Sequence, residues 1–256
     1  MRCGIDVGGT KIETAILSNS GEFLFRERID TPDNYTAMIH AIKAGVDSAA
    51  DDTGYDGPVG ICMPGSVSKK TGLIQGANTT YLNGQNFQKD LQATLNRAVR
   101  LSNDANCFAL SEAIEGAGAG VNVVFGVIIG TGCGGGIIVN GHLVSGVNGI
   151  AGEWGHTPLP WPVANEFDNH DCWCGKTGCL ETYISGTAFE KEYQQIAGTS
   201  KTGPDIVTDS KKGDIVAEAV LQALEDRIGR GLAMAVSYTH LRAHETGRNL
   251  VCRLLL

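Results

Sequence analysis

The sequence predicts an α/β protein built from two lobes, and three observations support that prediction. The chain has 256 residues, which is long for a single compact core and suits two. Short apolar strands alternate with amphipathic helical segments through residues 1–117. A strand, a glycine turn and a second strand occur at residues 3–17 and again at 123–144, which indicates an internal duplication.

Composition narrows the class of protein. The 42% hydrophobic and 19% charged content is typical of globular chains, whereas disordered chains are less apolar. The formal net charge of −8 argues against a nucleic-acid partner, which would require a basic surface. No apolar run reaches the length of a membrane span, and the N-terminus resembles a strand rather than a signal peptide. We therefore expect a soluble cytoplasmic protein with neither a nucleic-acid nor a membrane partner.

The first lobe is predicted to span residues 1–117. Its opening hairpin is recognisable because Ile12, Thr14 and Ile16 alternate after a first strand at residues 3–7. A helix is predicted at 35–49, where apolar residues recur at helical spacing. Further strands are predicted at 22–29, 58–63 and 99–102, and a further helix at 103–117.

The second lobe is predicted to span residues 118–235, after a glycine-rich boundary at 116–120. It opens with a predicted strand at 123–129, a glycine turn at 130–136 and a strand at 137–144. Its last predicted element is a helix at 214–235, because Leu224, Ile228 and Leu232 lie on one helical face.

The last stretch, residues 236–256, differs in character from the rest. Residues 236–246 and 250–256 resemble, in order and in one frame, the conceptual translation of a sequencing-library adaptor. An ordinary C-terminal helix is the alternative interpretation. We expect the stretch to be non-native, the natural protein to continue beyond Ala235, and the second lobe to be incomplete and therefore poorly active.

The first glycine turn is a candidate phosphate site. Gly8 and Gly9 can bring backbone N–H groups close to phosphate oxygens, and Thr10 and Lys11 add a hydroxyl and a cation. Asp6, at the end of the preceding strand, is suited to organise Mg²⁺ through water. A plain β-hairpin with a glycine turn is the alternative, since short motifs often match by chance.

The second glycine turn presents Gly130, Thr131, Gly132 and Gly134 as further phosphate-binding candidates. It contains a formal GxGxxG match, but a dinucleotide site requires a helix after the turn, and here a strand is predicted. The sequence has no Walker A motif. Two glycine hairpins in separate lobes instead suggest a nucleotide clamped between them.

Three cysteines form a candidate metal site. Cys172, Cys174 and Cys179 lie close together with glycines between them, and either His156 or His170 could supply a fourth ligand. Three thiolates and one imidazole form a closed tetrahedral set typical of structural zinc. Three unrelated reduced thiols are the alternative.

Five segments in this order resemble the ROK family of bacterial sugar kinases, which share the two-lobed actin-like (ribonuclease H-like) ATPase fold. The segments are residues 6–11, 101–107, 129–135, 152–156 and 172–181. The resemblance covers the chain from Met1 to about Ala235. It implies ATP and Mg²⁺ as cofactors, structural Zn²⁺ with His156 as the fourth ligand, and a homodimer as the expected assembly.

The resemblance also implies roles for individual residues. Asp104 matches the catalytic base, which takes the proton of the attacking sugar hydroxyl. From its spacing alone, Asp104 could instead be the N-cap of the following helix. The residues implied to contact sugar hydroxyls, besides Asp104, are Asn103, Glu153, His156 and Glu181, with Gly65 and Asn78 as weaker candidates.

Within the family, residues 78–85 and 152–161 look most like fructokinase (manno-fructokinase). The leading hypothesis is therefore ATP-dependent phosphorylation of D-fructose to fructose 6-phosphate. The alternatives are an N-acetylglucosamine kinase or a glucokinase of the same family, or a non-catalytic protein that senses sugar with the same fold.

Overall fold

The computed structural model describes residues 1–167 and 170–237, and the described chain packs as two compact units. Unit 1 comprises Met1–Cys107 and Gly146–Ile150, and unit 2 comprises Phe108–Ser145 and the chain from Ala151 onward. The division therefore falls inside a helix after Cys107, ten residues before the boundary at residue 117 that the glycines suggest. Most of the predicted tail, residues 238–256, lies outside the described residues.

Unit 1 is organised around a mixed five-stranded sheet. Its strands are β1 (Arg2–Val7), β2 (Lys11–Leu17), β3 (Phe23–Asp30), β4 (Val59–Met63) and β7 (Val99–Asn103), and a separate small ribbon pairs β5 (Ser66–Val67) with β6 (Ile74–Gln75). The order is β3-β2-β1-β4-β7, with β2 antiparallel to both β1 and β3, and β4 parallel to both β1 and β7. The carboxyl ends of β1, β4 and β7 consequently meet at one edge of the sheet.

Two helices complete unit 1, α1 (Tyr35–Thr53) and α2 (Phe87–Leu95). The side chain of Asn34 caps the start of α1, and Gly54, with a φ of 69°, ends it in the left-handed conformation. Helix α2 was not predicted, although its three buried residues recur every fourth position. Strands and helices together enclose an apolar core that includes Ile5, Ile61 and Phe87.

Unit 2 contains a three-stranded antiparallel sheet of order β10-β9-β8. Its strands are β8 (Val123–Ile129), β9 (Cys133–Val139) and β10 (His142–Leu143). The predicted single strand at 137–144 is wrong in two respects. Strand β9 begins at Cys133 inside the glycine run, and the chain turns at Asn140 and Gly141, which have φ angles of 51° and 76°. The turn separates β9 from β10.

Helices supply most of the rest of unit 2. They are α3 (Asp104–Ile114, which begins in unit 1), α4 (Glu181–Ile184), α5 (Gly186–Ala197), α6 (Gly203–Lys211) and α7 (Ile215–Val236). Helix α7 agrees closely with the prediction for 214–235, whereas α4, α5 and α6 were not predicted. A second apolar core forms between β9 and α4, α5, α6 and α7. All three tryptophans of the chain, Trp154, Trp161 and Trp173, belong to unit 2.

The alternation of strands and helices confirms the predicted α/β class. Within the described part of the chain, no helix combines the length and the apolar character that crossing a membrane requires.

Candidate active site

In unit 1 the first candidate phosphate loop is the turn between β1 and β2. The turn is closed by the N–H of Gly8, which donates to the carbonyl of Lys11 over 2.9 Å. Thr31 fixes it further, because its hydroxyl donates to the carbonyl of Gly8 over 2.8 Å and its N–H to that of Thr10 over 3.0 Å. Lys11 is exposed and forms an ion pair with Asp30 of β3.

A Cβ at Gly8 would lie 3.0 Å from the Lys11 carbonyl oxygen, and a Cβ at Gly9 would lie 3.9 Å from the hydroxyl of buried Thr79. The turn is therefore compact at Gly8 and lies against the 77–79 segment at Gly9. The structure brings the predicted residues of this loop together at the end of β1 and the start of β2.

The parallel strands bring two carboxylates near each other at their shared edge. Asp6 is near the end of β1, and Asp104 is the first residue of α3, directly after β7. Asp104 is exposed, but desolvation by the surrounding protein raises its pKa. The nearby charge of Asp6 raises the pKa further, and the N–H of Ala105, which donates to Asp104 over 2.8 Å, opposes the rise. The carboxyl group is thus made more basic than an ordinary aspartate.

Asn103 caps α3, the role that the spacing alone also allowed for Asp104. Its Oδ1 accepts N–H bonds from Ala105 at 2.9 Å and Asn106 at 3.3 Å, while its Nδ2 donates to the carbonyl of Gly65 at 3.2 Å. Asn103 therefore bonds two N–H groups at the start of α3, and it shares that of Ala105 with the carboxylate of Asp104.

Gly65 is fixed by its surroundings. Its φ is 77°, and a Cβ there would lie 2.6 Å from the carbonyl oxygen of Gln75 and 2.7 Å from the nitrogen of Ala77. Asn83 supports the same segment by bonding both backbone groups of Ala77, at 2.9 and 2.8 Å. Asn78 follows directly and is exposed. The structure thus places Gly65 and Asn103 in contact and Asn78 on the segment packed against Gly65.

In unit 2 the second candidate phosphate loop is the turn between β8 and β9. Gly130, Thr131 and Gly132 form this turn, and the N–H of Gly130 donates to the carbonyl of Gly132 over 2.9 Å. Helix α5 holds the turn, because the N–H of Gly186 donates to the Gly130 carbonyl over 2.7 Å and the hydroxyl of Thr187 to the Thr131 carbonyl over 2.9 Å.

The fourth predicted residue of this loop, Gly134, lies in β9 opposite Ile128 rather than in the turn. Its carbonyl accepts the indole N–H of Trp154 at 2.9 Å. Close packing also explains the glycine at position 155, because a Cβ there would lie 2.2 Å from the Cys133 carbonyl oxygen. The segment containing Glu153 and His156, which flank buried Trp154, is thereby fixed against β9.

Glu181 connects two parts of unit 2. Its Oε2 accepts the N–H of Cys133 at 2.8 Å, and its Oε1 accepts the indole N–H of Trp173 at 2.8 Å. A Cβ at Gly132 would lie only 2.6 Å from Oε2, so the carboxylate touches the turn itself. No role was predicted for Trp173. Its indole N–H holds the carboxylate of Glu181, a residue that is predicted to bind the sugar.

The predicted metal ligands converge in unit 2. One ligand atom from each of His156, Cys172, Cys174 and Cys179 lies within 4.8 Å of the others. His156 Nδ1 is 3.5 Å from the sulfur of Cys172, and the sulfurs of Cys174 and Cys179 are 3.6 Å apart. His170 instead packs its ring against Tyr183, with centroids 4.7 Å apart.

The electrostatics of one thiol in this cluster depend on a nearby cation. Burial and hydrogen bonding to Cys174 and Cys172 raise the pKa of Cys179 to about 12, so its thiolate forms only when a positive charge lies close by. Three sulfurs and one imidazole nitrogen at these separations fit tetrahedral Zn²⁺. The loop is pre-shaped, because the N–H of Cys172 donates to the carbonyl of Lys176 over 2.8 Å.

A buried network of charged side chains in unit 2 was not predicted. Arg227 of α7 bonds Glu166 over 2.7 Å and, with both terminal nitrogens, Glu192, and Arg230 also bonds Glu166 over 2.7 Å. Burial of Glu166 favours its neutral form, but the bonds from Arg230 and Arg227 outweigh burial and lower its pKa to about 2. The network ties α7 to the segment that follows the candidate sugar residues.

Comparison with known proteins identifies the family to which the chain belongs. The model of the ROK family matches residues 2–243. An N-acetyl-D-glucosamine kinase from Photobacterium profundum is 37% identical over 251 residues, covering 95% of this chain and 82% of the relative. An N-acetylgalactosamine kinase from Shewanella sp. (strain ANA-3) is 42% identical over 201 residues, covering 77% of this chain and 65% of the relative.

Solved structures show the same likeness. The ROK hexokinase from Thermus thermophilus superposes with a TM-score of 0.82 at 27% identity, covering 93% of this chain and 78% of that one. A ROK family glucokinase from Streptomyces griseus, in complex with glucose and AMPPNP, gives a TM-score of 0.75 at 31% identity. The match covers 93% of this chain and 79% of the glucokinase chain. The expected actin-like α/β ATPase fold is therefore confirmed.

The predicted choice of fructose finds no support among these relatives, and the name of the Photobacterium profundum relative matches the N-acetylglucosamine alternative instead. The family itself is clear from the extent of the match. With its family model covering residues 2–243, the chain belongs to the ROK family, and it is an ATP-dependent sugar kinase of that family.

Proposed function

We propose that this chain transfers the γ-phosphoryl group of ATP to the 6-hydroxyl of N-acetyl-D-glucosamine. The observation that carries the choice of sugar is the 37% identity to an N-acetyl-D-glucosamine kinase over 95% of this chain. An N-acetyl-D-galactosamine substrate is the second candidate, because an N-acetylgalactosamine kinase is 42% identical over 77% of this chain. The two sugars are epimers, so one hydrogen-bonding position distinguishes them.

Asp104 is the proposed catalytic base. Its raised pKa makes the carboxylate a better proton acceptor, and its exposed position allows a sugar hydroxyl to approach. As the hydroxyl oxygen bonds to the γ-phosphorus, its proton passes to Asp104 and ADP leaves. The proposed sugar contacts of unit 1 are Asn103, Gly65 and Asn78. Asn103 and Gly65 are hydrogen-bonded to each other.

Glu153, His156 and Glu181 are the proposed sugar contacts from unit 2. Both oxygens of Glu181 already accept N–H bonds, which fixes the carboxylate while leaving lone pairs for a sugar hydroxyl. A carboxylate held in this way favours a sugar with the matching hydroxyl, because its partly buried charge then gains a further partner.

The glycine turns are the proposed phosphate sites. In the β1–β2 turn, the backbone N–H groups and the hydroxyl of Thr10 can donate to phosphate oxygens. In the β8–β9 turn, the backbone N–H groups of residues 130–132 can do the same. Asp6 would hold Mg²⁺ through water, and the metal would neutralise charge on the phosphates. Lys11 is paired with Asp30, so binding phosphate requires it to exchange that partner.

The cysteine cluster is proposed to hold structural Zn²⁺ through His156, Cys172, Cys174 and Cys179, for which the 4.8 Å grouping of ligand atoms is the support. Bound zinc would stiffen the loop that presents Trp173 to Glu181. Assembly as a homodimer and a cytoplasmic location remain predictions.

The test is a panel of N-acetyl-D-glucosamine, N-acetyl-D-galactosamine, glucose, mannose and fructose, with ADP release measured for each. We expect the highest kcat/KM with N-acetyl-D-glucosamine. A preference for fructose would restore the original prediction and contradict the proposal. Sugar binding by calorimetry without any ADP release would indicate a non-catalytic sugar sensor, and this too would contradict the proposal.

A further inference from the structure

Two thiols of unit 1 that the proposed mechanism does not use lie close to the carboxylates of Asp6 and Asp104. Cys62 is in β4, and its thiol donates to the carbonyl of Ile5 over 3.4 Å and to Oδ1 of Asp6 over 3.3 Å. Cys107 is in the first turn of α3, three residues after Asp104. The thiols of Cys62 and Cys107 are close enough to influence each other's pKa, and both are partly buried.

The topology explains why the two thiols meet. Cys62 is directly opposite Ser102 across the parallel β4–β7 pairing, and Ser102 also hydrogen-bonds the thiol of Cys107. Helix α3 begins where β7 ends, and β4 is the neighbour of β7 in the sheet, so the first turn of α3 starts at the edge where β4 also ends. The contact therefore results from the sheet edge that also brings Asp6 near Asp104.

The two thiols differ in chemistry. Hydrogen bonds from Cys62 and then Ser102 lower the pKa of Cys107, against burial and the charges of Asp104 and Asp6, which raise it. The first turn of a helix also favours a thiolate. Cys62 behaves in the opposite way, because the Cys107 contact, burial and Asp6 all raise its pKa. Because Cys107 lies in the first turn of a helix and Cys62 lies in a strand, we assign Cys107 as the nucleophile and Cys62 as the resolving partner.

We propose that Cys62 and Cys107 form a dithiol modification site that a peroxide oxidises to a disulfide, switching off the neighbouring carboxylates. The Cys107 thiolate attacks one oxygen of hydrogen peroxide, giving a sulfenic acid and hydroxide. The Cys62 sulfur then attacks the Cys107 sulfur and displaces the hydroxyl group. In sum, two thiols and one peroxide give one disulfide and two waters, and a dithiol reductant reverses the change.

Loss of activity follows from what each sulfur touches, and this part rests on the proposed function. Oxidation removes the S–H that Cys62 donates to Asp6, leaving that carboxylate without this donor. The new bond also draws the first turn of α3 towards β4, and Asp104 is in that turn. Both displacements act on groups proposed to position Mg²⁺ and to accept the sugar proton.

The test treats the reduced chain with hydrogen peroxide and maps disulfides by mass spectrometry of its peptides. ADP release with N-acetyl-D-glucosamine is measured before and after treatment, and again after dithiothreitol. We expect a Cys62–Cys107 disulfide and a loss of activity of about tenfold or more, as expected for a disturbed base, with recovery on reduction.

Three variants complete the experiment, each compared with its own untreated rate. Cys62→Ala and Cys107→Ala are expected to resist the reversible loss, and Cys62→Ala should accumulate sulfenic acid on Cys107. Cys3→Ala is the matched control, because Cys3 is a buried thiol of β1 and should leave the response unchanged. Unmodified Cys62 and Cys107 in the inactivated chain, or an equal loss in Cys107→Ala, would overturn the proposal. A chain without kinase activity would count against the proposed function alone, since the peptide map still decides the thiol chemistry.

Discussion

The two units carry similar glycine hairpins but support them differently. In unit 1 the β1–β2 turn is held by backbone bonds and by Thr31, above a core of apolar side chains. In unit 2 the β8–β9 turn is held by α5 and by the carboxylate of Glu181, which in turn bonds Trp173 beside the cysteine cluster. Unit 1 thus depends mainly on its sheet, and unit 2 on specific polar side chains.

The contrast extends to charges. Ion pairs of unit 1 such as Lys43–Asp47 are exposed, with 44% and 54% of the two side chains accessible. In unit 2, Arg227 and Glu166 pair with only 6% and 4% accessible. A buried pair is costly to break because the remaining charge stays desolvated, whereas an exposed pair contributes little. Substitutions should therefore affect the stability of the two units very differently.

The largest expected effect is on catalysis in unit 1. Replacing Asp104 with asparagine should lower kcat about 10²–10⁴-fold, because the proton acceptor is lost. The folded pKa of Asp104 is raised, so its ionisation opposes folding above that pKa, and the variant should unfold at the same temperature as wild type or higher. Kinetics and calorimetry measure the two effects. Asp47→Asn, an exposed carboxylate of the same unit, is the control and should leave kcat unchanged.

The same pKa shift predicts the acid limb of the rate. Asp104 must be ionised to accept a proton, so wild-type kcat should fall as pH drops through a value above that of an ordinary aspartate. A kcat that stays constant down to the usual aspartate range would contradict the assignment of the base.

The next effect is on the stability of unit 2. Arg227→Met should lower the free energy of unfolding by about 3–5 kcal/mol, because Glu166 and Glu192 lose a buried partner. The matched change in unit 1, Lys43→Met, should cost about 0.5 kcal/mol or less. Urea denaturation of both variants provides the comparison. Equal losses would show that the two units do not differ in the way proposed.

Removing one metal ligand should have a smaller effect on sugar binding. Cys174→Ser should abolish bound zinc and weaken sugar binding about 10–100-fold, since the loop beside Glu181 loses its support. Metal analysis and titration calorimetry are the measurements. The control is Cys3→Ser in unit 1, which should keep its zinc. Unchanged metal content in Cys174→Ser would remove the zinc assignment.

The smallest expected effect concerns Trp173. Replacing it with phenylalanine removes the indole N–H that fixes Glu181 but keeps an aromatic ring, and sugar affinity should fall about threefold to tenfold. Trp161→Phe is the matched control, because Trp161 is also 67% exposed in the same unit. Equal changes in the two variants would indicate that the Trp173 bond has no role in binding.

The sequence predicted unit 1 better than unit 2, for a physical reason. The strands of the first hairpin alternate clearly, since Ile5, Val7 and Ile12 face one core. Strand β9 starts within a run of glycines, which carry no side chains and hence no alternation. Its early start at Cys133 is therefore invisible without the pairing to β8.

The candidate site divides in a similar way. Motif resemblance pointed to Asp104, Glu181 and the three cysteines as candidates, because each belongs to a short recognisable segment. It could not identify the partners that hold them. Arg227 is 61 residues from Glu166 in sequence, and only the fold brings the two together. The spacing of Arg227, three residues after buried Leu224 on α7, was the one local signal that it faces inward.

The distribution of tryptophan has a practical consequence. Since Trp154, Trp161 and Trp173 all belong to unit 2, intrinsic tryptophan fluorescence reports on that unit alone, while circular dichroism reports on both. If the two signals change together during unfolding, the units melt as one cooperative block, and if they separate, the order of melting can be read directly. The exposed indole of Trp173 also makes its emission a built-in optical reporter of the loop that orients Glu181.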